Sequence, residues 1–170
     1  PPENSIPVTS TINITAVNDA PVLTAGGTVD CINRYAIAID NTITIADDDD
    51  TEMNGATVTI TSPITGDKLE MDDQNGITSI FAAGVLTLTG VATIANYQNA
   101  LRSVRFLNAE SDPTLGGAEE TREISWVITD NDSDGVGAQS SGAGITSTIN
   151  IGVPVVTIAS PLSYSIGDPA

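Results

Sequence analysis

Apolar and polar residues alternate along most of this chain, in short runs separated by Gly, Pro, Asn and Asp. That period of two belongs to half-buried strands. It predicts strands at 6–17, 35–39, 42–46, 56–62, 68–71, 77–80, 85–89, 105–107, 122–129 and 145–151, with 21–25 opening a module. Their inward positions include Tyr35, Ile37 and Ile39, then Val58 and Ile60, and later Ile124, Trp126 and Ile128 on what reads as a central strand. Gly26-Gly27 is a break, Asp40-Asn41 and residues 72–76 read as turns, and residues 82–84 close a hairpin. One stretch leaves the period. Ile94, Tyr97, Leu101 and Val104 recur at helical spacing, which predicts a short helix plugging one end of a sandwich.

The first strand comes back near the other end. Thr9 to Ile14 reads TSTINI, and Thr146 to Ile151 reads TSTINI again, 137 positions later. Each copy runs on to a Val and a Pro, the first through AVNDAPVLT and the second through GVPVVT. Strand and linker recurring at a fixed distance point to tandem modules. The expected division is 1–20 as the terminal strand and linker of a preceding module, 21–153 as one complete module, and 154–170 as a linker or the start of the next. Opening on Pro-Pro-Glu-Asn, with no signal peptide, the chain reads as a piece of something longer.

Composition narrows the classes. Aromatic residues are only 4% against 40% apolar, so small β-branched side chains must fill a thin core. Five Lys and Arg against 22 Asp and Glu leave a net charge of −17, which argues against nucleic acid or an anionic membrane as partner. Without His the chain lacks the commonest general base and transition-metal ligand. The lone Cys31 cannot close an internal disulfide and is expected in the core. No apolar run approaches a membrane span, and no nucleophile, zinc or phosphate-loop motif appears, so an enzyme is not expected.

The acids gather in bends. Residues 47–52 hold five carboxylates, and in an extended run Asp47 and Asp49 point the same way. Asp130, Asp132 and Asp134 alternate before Gly135, as in the first half of an EF-hand loop, but Ser141 stands where the bidentate Glu is needed. That excludes an EF-hand and leaves a hairpin loop with calcium-ligand spacing. Oxygen-only donors select Ca²⁺ or Mg²⁺, while a solvated acidic turn is the alternative for each run.

Several of these stretches together carry a family resemblance. Val17-Asn-Asp-Ala-Pro, LTLTG at 86–90, Tyr97-Gln-Asn-Ala-Leu-Arg-Ser-Val-Arg-Phe106, Asp112-Pro-Thr114, Gly116, Arg122 and Thr129-Asp130 resemble the cadherin-like repeats of large bacterial surface adhesins. The resemblance spans about 17–151. It implies an all-β, immunoglobulin/cadherin-like Greek-key β-sandwich, arrayed in tandem on the cell surface and often calcium-dependent. In such junctions the Asn-Asp pair, here Asn18 and Asp19, donates oxygens to calcium. The topology it implies brings Asn18, Asp19, Asp47, Asp49, Asp130, Asp132 and Asp134 to one end. The second linker lacks the Asn-Asp pair, so no calcium is implied there.

Two functions follow from different features. The first is a structural and adhesive extracellular module, stiffened by calcium and partnered by neighbouring modules. The second is a self-assembling filament subunit whose N-terminal strand completes a neighbouring subunit. A cell-surface or glycan ligand is a further binding reading, with Tyr35, Tyr97 and Tyr164 as the ring platforms besides Trp126.

Overall fold

A computed structural model of the chain describes residues 6–15, 17–31, 35–132, 135 and 137–152. The expected linker at 154–170 and Asp134 lie outside the described residues. The alternating runs fold into strands β1 (Val22–Thr24), β2 (Thr28–Cys31), β3 (Ile37–Ala38), β4 (Thr44–Ala46), β5 (Glu52–Ile60), β6 (Asp67–Glu70), β7 (Thr78–Ala82), β8 (Val85–Thr93), β9 (Arg105–Asn108), β10 (Thr121–Asp130) and β11 (Thr146–Ile151). A single helix, α1 (Ile94–Arg102), follows β8. The fold is an all-β sandwich with one short helix, as the periodicity predicts.

One layer is a six-stranded sheet in the order β2-β11-β10-β5-β8-β7; a three-stranded sheet β3-β9-β6 and the pair β1-β4 accompany it. All its pairings are antiparallel except β11 with β2, which is parallel. Strand β10 is central in composition too. Its inward series is Arg122, Ile124, Trp126, Ile128 and Asp130, every one buried, with an apolar middle and a charge at each end. Leu86 and Leu88 of β8, Ile149 of β11, Leu69 of β6 and Phe106 of β9 join that middle in one core.

Each terminal charge is fully engaged. Arg122 Nε donates to Asp67 Oδ2 at 2.7 Å, and its other nitrogens donate to the carbonyls of Pro113, Glu119 and Thr121. Removing either partner of that buried pair would strand the other charge. Asp130, at the opposite end, belongs to the candidate site. A bulge between Thr129 and Asp130 re-aims the strand there.

The helix packs where its stripe predicts. Thr93 caps it, its hydroxyl accepting from Asn96 N at 3.3 Å, and Tyr97, Ala100 and Leu101 are buried. Tyr97 Oη donates to the carbonyl of Gly90 at 2.6 Å. Gly90 has φ +123° and lies so close to Gly76 that a Cβ would sit 2.2 Å from its carbonyl oxygen. Arg102 Nε donates to Ile43 O at 2.8 Å and Gln98 Oε1 accepts from Ile45 N at 3.2 Å, so α1 holds β4 and the acidic bend after it.

Three expectations are corrected. Residues 6–15 and 17 form no strand; Val8 is 93% exposed and Ile14 91%, because no strand among the described residues covers them. Tyr35 does not face the core but is 78% exposed, and the strand there shrinks to Ile37–Ala38. Strand β2 was not anticipated, since Thr28–Cys31 has too little alternation; its place is set by pairing with β11.

A buried acid also stands where the sequence shows only a turn. Asp40 is 3% exposed. Its Oδ2 accepts from Gly26 N at 3.0 Å, Gly27 N at 2.7 Å and Ser147 Oγ at 2.7 Å, and its Oδ1 from Thr42 N at 2.9 Å and Thr42 Oγ1 at 2.6 Å. Burial pushes its pKa up, but the donors, Thr42 and Ser147 foremost, outweigh burial and hold the carboxyl well below the usual range. Ser147 accepts in turn from Trp126 Nε1 at 3.0 Å. Indole, serine and aspartate thus tie β10, β11 and the β1–β2 turn together.

Candidate metal centre

Three stretches meet at the end of the sandwich from which β5 departs and at which β10 finishes. They are the linker at 17–20, the bend at 47–51, and residues 130–132 with 137–139. Pairing of β1 with β4, Val22 opposite Ala46, lays the linker beside the acidic bend. Asn131 N donates to Glu52 O at 3.1 Å, joining the loop to the same bend. Asp19, Ala20, Val22, Ala46, Asp47 and Asp48 line a shallow depression between them.

Asn18 is the linker's anchor. Only 5% exposed, it donates from Nδ2 to Asp130 Oδ2 at 3.1 Å and to Gly137 O at 2.9 Å. Gln139 Nε2 donates to the Asn18 carbonyl. Asp130, fully buried, also accepts from Gln139 N at 2.9 Å and Asp132 N at 3.3 Å, and Asp132 Oδ1 accepts from Gly137 N at 2.6 Å. Asp19 sits on the other side, its backbone N–H donating to Asp49 Oδ2 at 2.9 Å.

The bend is not the extended run that the alternation of Asp47 and Asp49 implies. Asp47 Oδ1 accepts from Asp49 N at 3.2 Å and Asp50 N at 3.1 Å, folding the segment into a turn around its first carboxylate. Burial pushes the Asp47 pKa up, and the neighbouring Asp49 carboxyl adds to the rise against the backbone donors. Asp49 lies below the usual range, chiefly because Asp19 N–H favours its charged form.

Of the seven residues expected at the site, six are described, and they fall into two halves. Asn18, Asp130 and Asp132 form one; Asp19, Asp47 and Asp49 form the other. In kind the donors fit a hard cation, since all are oxygens. Two of them, Asn18 Oδ1 and Asp47 Oδ2, are buried with no hydrogen-bond partner among the described residues. In number they do not make a carboxylate cage: among the described residues no three acidic, His or Cys side chains group closely enough for one ion. Asparagine oxygen, backbone carbonyls and water would have to complete the coordination.

Gln139, Gly137 and the buried Asp50 were missed by sequence reading. A turn-forming Asp three residues before Asp50 is a local signal for the bend; nothing in the order of residues marks Gln139 as the clamp on the linker. Among the described residues no helix is long and apolar enough to cross a membrane. No protein-family model, curated protein or solved structure matches the chain.

Proposed function

We propose that this chain is a structural module of an extracellular tandem-repeat surface protein, cadherin-like in build, and that calcium stiffens the joint where the incoming linker meets the acidic bends. The observation that carries the reading is the docking of Asn18. A linker side chain is buried between Asp130 and Gly137, and its amide oxygen is buried with no donor among the described residues. An ion in either half would meet an unsatisfied buried oxygen, Asn18 Oδ1 or Asp47 Oδ2, offset the repulsion among the carboxylates, and bind linker to body more firmly than hydrogen bonds alone. A stiff joint converts a string of sandwiches into a rod, the task of a stalk that holds an adhesive tip away from a cell. The −17 charge suits such a surface, where millimolar cations are at hand.

Amide hydrogen exchange with and without calcium tests this directly. Slowed exchange across residues 17–20, 47–51 and 131–139 is expected on adding calcium, with the distant 109–120 loop unaffected. Identical exchange in millimolar calcium and in chelator would remove the ion from the account.

A further inference from the structure

The repeated hexapeptide gains physical meaning from β11. In β11 the residues that face inward are Ser147, Ile149 and Ile151. Ser147 takes a hydrogen bond from the Trp126 indole and gives one to Asp40; Ile149 stands opposite Arg122 on β10 and Val29 on β2; Asn150 Nδ2 donates to Asp30 Oδ1 at 2.8 Å. The N-terminal copy offers the same side chains at the same spacing: Ser10, Ile12, Asn13 and Ile14. There they are exposed, Ile12 at 84%. We propose that Thr9 to Ile14 is a donor strand, that its receptor is the slot between β2 and β10, and that in the isolated chain the partner supplying that slot is a second copy. Ser10 then sits between Asp40 and Trp126 of the neighbour, and Ile12 takes the place of Ile149.

Its own slot is out of reach. β11 runs antiparallel to β10, away from the linker end, and finishes where Ile151 N bonds Glu120 O. Were the N-terminal copy in that position, Ile14 would stand at the Glu120 end while Asn18 remains docked on Asp130. The two points are separated by the length of β10, about 30 Å at ~3.3 Å per residue. The four residues from Ile14 to Asn18 span at most about 14 Å. Donation therefore goes outward. It places the neighbour's Glu120 end against this chain's linker end, a head-to-tail contact, the heterologous kind that extends into a filament unless the rotation between copies closes a ring. The inference rests on the tandem-module reading, and it names the partner surface and the polarity of the array.

In the intact chain β11 is tethered beside its slot and outcompetes a strand from another molecule at micromolar concentration. Disabling β11 exposes the exchange. Full-length Ile149→Asp is compared with the double variant Ile12→Asp/Ile149→Asp by sizing with mass detection and by Trp126 fluorescence. The single variant is expected as folded oligomers with native emission, and the double variant as unfolded monomers. A peptide of residues 8–15 should restore native emission to the double variant, as a peptide of residues 145–152 should. A folded monomer of Ile149→Asp, or an unfolded one no different from the double variant, overturns the inference. So does rescue by the second peptide alone, or by neither. Calcium-dependent exchange protection of the wild-type linker is blind to these outcomes, so the strand and the metal can fail separately.

Discussion

Asp40→Asn is the substitution whose cost the structure specifies most closely. The carboxylate receives Gly26 N, Gly27 N and Ser147 Oγ on one oxygen and Thr42 N and Oγ1 on the other. An asparagine keeps one acceptor. Its better orientation leaves the oxygen facing the two glycines and Ser147, and turns NH₂ against the Thr42 amide, which cannot rotate away; the Thr42 hydroxyl can. One stranded, partly buried donor costs about 1–2 kcal/mol, and three bonds that lose charge assistance cost roughly 0.5–1 kcal/mol each. The expected loss at pH 7 is about 4 kcal/mol, or some ~15 °C in melting temperature for a domain of this size. The pH dependence follows from the depressed pKa of Asp40 in the fold. Its contribution is complete above the unfolded-state value of about 3.9 and is lost as pH falls from there through the folded value. The gap between wild type and variant should narrow by about 1.4 kcal/mol per pH unit below ~3.9. Urea unfolding followed by Trp126 fluorescence reads it, since the indole is joined to the carboxylate through Ser147 by two hydrogen bonds. A loss under 1 kcal/mol at pH 7, or a gap unchanged between pH 7 and 2.5, would refute the reasoning.

Other positions give sharp expectations. Tyr97→Phe strands the Gly90 carbonyl and should cost about 1–2 kcal/mol by the same urea assay. Burial pushes the Tyr97 pKa up to about 12, so ultraviolet titration of the folded chain should find this phenol still protonated at pH 11. Stability it contributes is present below the unfolded value of about 10 and declines as pH rises beyond it. Arg122→Met leaves Asp67 charged and buried and should cost about 3–5 kcal/mol, part of which Arg122→Met/Asp67→Leu recovers; equal stability of the two variants would contradict the ion pair's role. Gly90→Ala drives a methyl into the Gly76 carbonyl at a positive φ, and a drop of at least ~2 kcal/mol is expected by calorimetry.

Much of the sandwich was legible because burial on one face imposes a period of two, and β5, β8, β10 and β11 obey it. The helix was legible for the same reason at another period. What escaped is what only the third dimension decides. Strand β2 is held by β11 rather than by its own pattern. The N-terminal run has the alternation of a strand but no partner among the described residues, and alternation without a partner is not a strand. Asp40 reads as a turn residue, and its burial depends on glycines 26 and 27 arriving from the β1–β2 turn; a Cβ at Gly27 would meet its carboxyl at 2.7 Å. At the linker end the three acidic stretches do assemble, with Asn18 on Asp130 and Asp19 on Asp49. The bend around Asp47 was misjudged as extended because consecutive aspartates capture their own backbone amides.

Whether calcium binds where the linker docks is read by thermal unfolding of the wild-type chain across a calcium titration, with Asn18→Leu beside it. At a hundredfold excess over the dissociation constant, a site confined to the folded state adds about 2.7 kcal/mol, a rise of roughly 10 °C for a domain of this size. That rise is expected for the wild type, with its loss in chelator and a much smaller rise for Asn18→Leu. A midpoint that does not move with calcium, or moves equally in the variant, contradicts it.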